Sequence, residues 1–378
     1  MKKVLVLGTK NYDYDFFYEF KSIGYECFFC GNQKSSLIPD EQWIRIDFID
    51  VANILKFMAH NPDFKYVIPG SNDLSYLSAS EISEKCATQN SIIIDSKKIA
   101  ENYILKTKFR SQKLYKKIFV PKLFSLKNFQ NENKPFVLKQ DKMSGGKGVS
   151  IFKNGKHFKK NTNKKEIKEN FLVEEYIEGS GHGISYIVKE GKIIFEFYDD
   201  EYYCKDKLAV VATSTPSSLS SPHKKVIRQF CLDYFKEFKL VDGFFHIQCI
   251  KKDEKIYIIE CTRRLPGDYY HEFSSLSLGT SYLRSYIKSF IGYYEIFKSN
   301  RIIKNIVRVV LDDLIISQIK NSKEIKNLIK MNLIKKKKLD GFRFGENNKT
   351  YRKKGVIFLE FDNPHESIDF CKKLFLDL

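Results

Sequence analysis

The chain has 378 residues, with 65 Lys and Arg against 46 Asp and Glu, a formal charge of +19. At roughly 150 residues per domain, this length suggests two or three domains; 43% hydrophobic and 15% aromatic residues supply sizeable cores and exclude wholesale disorder. No window approaches the roughly 18 uninterrupted apolar residues of a membrane span, and Met1-Lys2-Lys3-Val4-Leu5-Val6-Leu7-Gly8 is too short an apolar run for a secretory leader, so neither is expected.

In chain order, residues 4–7 form an apolar run ending in Gly8, read as the buried first strand of an α/β domain. A helix at 16–22, strands at 25–29 and 66–70, a helix start at Ser71-Asn72-Asp73 and a strand at 92–94 continue the alternation. That pattern predicts a doubly wound parallel sheet. The first turn lacks GxGxxG, so no dinucleotide site is assigned. Of eight cysteines, Cys27 and Cys30 have CxxC spacing without a second pair or nearby His. Buried thiols in a strand, in the reducing cytoplasm, are therefore expected.

From residue 106 to about 290 the strands come in pairs: 136–139 with 149–152, 184–188 with 192–197, and 244–250 with 255–260. These read as antiparallel hairpins, joined by a helix at 224–238. A last strand at 355–361 precedes a helix that starts after Asp362-Asn363-Pro364. The expected organisation is a Rossmann-like domain over 1–105, an α+β domain over 106–298 and a small α+β domain over 299–378. Lysines cluster at 153–168 and 335–338 within a generally Lys-rich chain, which favours a solvated surface over nucleic-acid binding.

Three segments carry chemistry. Lys139-Gln140-Asp141-Lys142-Met143-Ser144-Gly145-Gly146-Lys147-Gly148-Val149 places a Gly-rich turn between two strands, where amide groups, Lys139, Lys147 and the Ser144 hydroxyl can converge on phosphate. Glu174-Glu175-Tyr176-Ile177 ends an apolar strand and offers backbone groups at the mouth of a cleft. Gln248 and Glu260 lie on the two arms of one hairpin, with even spacing that lets both face the same side as hard oxygen ligands for Mg²⁺. Taken singly, each is also compatible with an ordinary turn, strand end or solvated polar pair.

In this order the three resemble the ATP-grasp superfamily, specifically its carboxylate–amine ligase and biotin-carboxylase-like branch. The segment from Lys108 to Pro121 is similar to the family's DK…GVP helix, with Thr107 in place of Asp. The resemblance implies that Lys108 and Lys139 contact ATP phosphates, that Ser144, Gly145, Gly146 and Gly148 form a phosphate-covering loop with Lys147 as a catalytic cation, and that Glu174, Glu175, Tyr176 and Ile177 form the adenine hinge. His182 corresponds to a ribose-side position, Glu260 and Gln248 to metal ligands, and Arg264 to the arginine beside the transferred phosphate. Gln248 and Thr262 depart from the usual acidic residue and Asn, which removes one carboxylate from the metal site. Arg263 is expected at the surface or facing substrate, and the acceptor pocket beside Arg264, Asp268 and His271.

The implied activity is ATP-dependent amide formation through an acyl phosphate, with ADP and phosphate released. A carboxylase acting through carboxyphosphate, or a nucleotide binder with a degenerate metal site, are the alternatives. Small-molecule carboxylate and amine substrates are the implied partners, and the last domain is expected either to close over the site or to form a homodimer.

Overall fold

The apolar run after Lys2 becomes the strand Lys3–Leu7, with Val4, Leu5, Val6 and Leu7 fully buried, as in a parallel sheet covered on both faces. It pairs in parallel with Glu26–Cys30 and Phe64–Pro69, and the short strand Trp43–Ile44 completes a four-stranded sheet. Helices Val51–His60 and Asp73–Lys85 start where the Asp50 and Asn72 carboxyl and amide oxygens accept backbone N–H groups of Asn53 and Leu74. This computed structural model describes residues 2–86, 92–112, 118–141, 148–161, 171–203, 209–294, 303–340, 343–344 and 351–375.

The expected strand at 92–94 does not form. Residues 92–96 carry no sheet pairing, and Ile93 donates its N–H to the Phe290 carbonyl at 2.7 Å. The apolar run instead ties the first domain to the helix Tyr282–Phe290. Cys27 and Cys30 are buried free thiols, and burial pushes Cys30 up to about 12.

A small antiparallel sheet follows, with strands in the order Leu123–Phe124, Phe171–Glu175, Phe136–Gln140 and Val149–Phe152. Its own core packs Phe129, Phe136, Phe152 and Phe158. The two longest hairpins, Ser180–Lys189 with Lys192–Tyr203 and Gly243–Lys252 with Lys255–Thr262, build the middle of a nine-stranded sheet. Behind it lies an aromatic core in which Tyr282 and Tyr286 meet Phe244 edge-on at 5.9 and 5.1 Å.

Strands Asn305–Leu311, Gly355–Phe361 and Leu333–Lys338 extend this same sheet to one edge. Helices Asp313–Asn321, Lys323–Asn332 and Pro364–Phe375 cover them over a separate core around Val307, Ile357 and Phe370. Lys335 and Lys336 are exposed on the edge strand, where charge discourages pairing with another chain. Among the described residues, no helix is long and apolar enough to cross a membrane.

Candidate active site

The small sheet faces the large one across a cleft of about 630 Å³, closed at its far end by the N-terminal domain and the last strands. Strand alternation turns Lys139 into this cleft from Phe136–Gln140, and Glu174 meets it from Phe171–Glu175. Lys139 Nζ pairs with Glu174 Oε1, while Arg110 Nε donates to Glu174 Oε2 at 2.9 Å. Burial pulls the Lys139 ammonium below its ordinary value against the attraction of Glu174. For Glu174, burial pushes upward, but Arg110 and Lys139 hold the carboxyl below the usual range.

Lys106 lines the cleft, whereas Lys108 does not. The Lys108 ammonium points outward and pairs with Glu101 at 2.5 Å, with 44% of the side chain exposed. The two lysines are two positions apart on the helix Lys106–Arg110, so they leave it on opposite sides. Of the two lysines expected at the phosphates, Lys139 lines the cleft and Lys108 does not, and Lys106 lines it in addition.

Ser144, Gly145, Gly146 and Lys147 lie outside the described residues. Gly148 adopts φ +62, and a Cβ there would lie 3.0 Å from the Gln140 side chain, so the turn requires glycine. Glu175, Tyr176 and Ile177 line the cleft with Glu174. His182 does not. It is fully buried, with Nδ1 2.8 Å from Asp200 Oδ1 and Nε2 2.8 Å from Ser180 Oγ. Its strand neighbour Gly181 lines the cleft instead, so His182 braces Asp200, which also accepts from the Ser217 hydroxyl and the Ser218 N–H.

The hairpin arms bring Gln248 and Glu260 directly opposite one another, both lining the cleft. Gln248 Nε2 donates to Glu201 at 2.8 and 3.0 Å, an acid that lines the same cleft. Burial raises the Glu201 pKa, and burial with the neighbouring Glu201 charge raises Asp199 strongly. Among the described residues no three His, Cys, Asp or Glu side chains make a ready cage. An all-oxygen pair completed by phosphate oxygens is the way Mg²⁺ is usually held, so Glu260 and Gln248 fit that ion.

At the other end, Arg264 is clamped by Asp73 of the first domain through Nε (2.9 Å) and Nη2 (3.2 Å), and Thr262 donates to the same carboxylate at 2.8 Å. Burial pushes Asp73 up, yet Arg264 holds it below the usual range. Arg263 is not at the surface. It is 2% exposed, paired with buried Asp95 at 2.6 Å and bonded to the Phe244 carbonyl, because in the bend after the strand Lys255–Thr262 the two arginines leave the chain toward different partners. His271 also lies outside the cleft, buried with Nε2 2.8 Å from Asp15. Asp268 does line it and is paired with Lys353.

Among the cleft residues that sequence reasoning missed are Lys106, Glu201, His246 and Arg308. Burial, with Arg264 and Arg308 adding to it, pulls His246 down to about 3, so the ring is neutral at neutral pH. Arg308 is 3% exposed; Nη1 donates to the Gly267 and Asp268 carbonyls, and Nε has no partner. Its signal was available, since it is the only charge in Asn305-Ile306-Val307-Arg308-Val309-Val310-Leu311.

Residues 106–268 match the family model for the ATP-grasp domain. The matched segment holds the small sheet and both central hairpins that line the cleft. The fold of the chain is similar to that of an L-amino acid ligase from Bacillus licheniformis (15% identity, 99% of this chain and 97% of that one, TM-score 0.71). It is similar also to N5-carboxyaminoimidazole synthetase from Staphylococcus aureus, complexed with ADP (13%, 99% and 97%, 0.72), and to phosphoribosylglycinamide synthetase from Anaerococcus prevotii (15%, 100% and 98%, 0.67). No curated protein sequence matches the chain.

Proposed function

We propose that this protein joins a small-molecule carboxylate to an amine, activating the carboxylate as an acyl phosphate and releasing ADP and phosphate. The observation that carries this reading is that one cleft holds a lysine-lined end beside a strand terminus and, at its other end, two buried arginines. The first suits a nucleotide triphosphate, the second an anionic acceptor that must be fixed in line with it.

In this reading Lys106 and Lys139 neutralise the phosphates, with the Ser144–Gly148 turn and Lys147 covering them. Glu174 keeps both Lys139 and Arg110 in place, and Tyr176 and Ile177 offer backbone groups to the adenine. Glu260 and the Gln248 carbonyl would hold Mg²⁺, which when bound offsets phosphate charge. Arg264 and Arg308 orient the carboxylate toward the terminal phosphate, and the neutral His246 ring adds no competing charge. The amine then displaces phosphate from the activated acyl group. Such chemistry is positioning and charge neutralisation, which these residue types supply. The buried thiols accord with a reducing cytoplasm.

The test is ADP release with Mg²⁺ across carboxylates crossed with amines, with Lys139→Ala as control. Release that needs one carboxylate and one amine, and is lost in the variant, bears out the ligase. Bicarbonate-dependent release moves the assignment to a carboxylase, and nucleotide binding without turnover on any pair moves it to a binder.

A further inference from the structure

The hairpin that presents Glu260 has an amide, Gln248, on its opposite arm, so it brings one carboxylate to the cleft rather than two. A second carboxylate reaches the same place from two strands away. Gln248 is paired across the sheet with Gly183, and Gly183 with Asp199; Gly181 is paired with Glu201. Strands two apart are separated by roughly 10 Å, too far for side chains to meet when the strand between carries its own. Here that strand has glycine at both positions. A Cβ on Gly183 would lie 2.8 Å from Asp199 Oδ2, and one on Gly181 would lie 2.2 Å from the Tyr203 ring.

Across this gap the Gln248 amide nitrogen reaches both oxygens of Glu201, at 2.8 and 3.0 Å, and the Tyr203 hydroxyl donates to Oε2 at 2.6 Å. Glu201 is 6% exposed, lines the cleft, and has only these neutral donors; no Lys, Arg or His nitrogen pairs with it among the described residues. Beside it, Asp199 Oδ1 is fully buried with no hydrogen-bond partner. Burying a carboxylate without a cation is costly, and the cost is removed when a cation enters the cleft. The orientation of Gln248 serves the same end, since its nitrogen is committed to Glu201 and its carbonyl oxygen is the atom left for a metal.

We infer that Glu201 supplies the metal–nucleotide complex with the carboxylate that position 248 lacks, acting with Glu260 and the Gln248 carbonyl. The inference rests on the ATP-grasp reading of the cleft and moves the second negative charge from the hairpin to the strand Lys192–Tyr203, two strands from Gln248.

Mn²⁺ serves as the probe, followed by electron paramagnetic resonance in the presence of saturating ADP, after metal-free ADP affinity has been measured by calorimetry. Glu201→Gln is close to isosteric and removes a buried charge, so its fold is expected to persist. Mn²⁺ binding should weaken about 10-fold or more, the scale at which metal-site partners act, while metal-free ADP affinity stays within about 2-fold. Glu201→Gln combined with Gln248→Glu returns a carboxylate to the hairpin and should recover most of the Mn²⁺ affinity. Unchanged Mn²⁺ binding in Glu201→Gln overturns the inference, as does equal loss of metal-free ADP binding, which marks a purely structural role. A wild-type protein that binds no ADP at all overturns the nucleotide reading itself, and this inference with it.

Discussion

Asp73 and Arg264 lie 191 positions apart in the chain and form a two-point ion pair, Nε to Oδ1 at 2.9 Å and Nη2 to Oδ2 at 3.2 Å. Asp73 opens a helix of the N-terminal domain, and Arg264 follows the strand that bears Glu260. The first domain therefore sets the position of this arginine in the cleft. Asp73→Asn leaves the buried guanidinium with only Glu260, 3.7 Å away, as a counter-charge, which costs on the order of 3 kcal/mol. Urea unfolding should show that loss, and ADP release should fall in parallel. Wild-type stability in the variant would show that the pair does not join the domains energetically.

Lys106 and Lys108 make an internal comparison. Lys106→Ala removes a cation from the cleft end to which the proposed function assigns the phosphates, and charge-assisted contacts are worth about 2 kcal/mol, so ATP affinity should drop about 30-fold. Lys108→Ala breaks only a surface pair with Glu101, worth at most about 1 kcal/mol, and ATP affinity should stay near wild type. Isothermal titration of both variants with ATP decides the order; the reverse ranking would return the role to Lys108.

Arg308 is buried, lines the cleft and has an unpartnered Nε. Arg308→Ala should raise the KM of the anionic substrate about 30-fold, again from about 2 kcal/mol of lost charge-assisted bonding, while ATP affinity stays near wild type. Arg308→Lys keeps the charge but not the fork, so recovery should be partial. Equal effects on both substrates would mean that Arg308 holds the fold rather than the acceptor.

Asp73 and Glu174 both have pKa values held below the usual carboxylate range, against the opposing effect of burial. Each therefore carries fewer protons folded than unfolded in acid. Their stabilisation is complete above the unfolded values near 4 and is lost as pH falls through the lower folded values. The urea midpoint should decline as pH is lowered from about 5 to 3, and less steeply in Asp73→Asn than in the wild type. Parallel slopes would remove Asp73 from the acid response.

Some of the site was legible from residue spacing. The hairpin parity that put Gln248 and Glu260 on one face is observed as a direct cross-strand pair, because side-chain direction along a strand repeats every two residues. The same local rule could not say which of Arg263 and Arg264 faces the cleft. The bend after the strand decides that, and it sends Arg264 to Asp73 and Arg263 to Asp95. His182 was lost for a similar reason, since the cleft side of its strand is the glycine side. The run at 92–94 has the composition of a strand, but a strand needs a partner edge, and the Phe290 carbonyl offered this segment one bond instead of a ladder.

Sequence alone determined the order of the parts: a parallel α/β start, antiparallel hairpins with a Gly-rich turn, and a Gln–Glu pair facing one side of a hairpin. These follow from local periodicity and turn chemistry, which act within a few residues. Tertiary structure decided which side chains enter the cleft: Lys106 rather than Lys108, Arg308 from the last strands, and Glu201 across two glycines. Those choices depend on helix phase, strand register and the absence of side chains on an intervening strand, and each is set only when distant segments pack together.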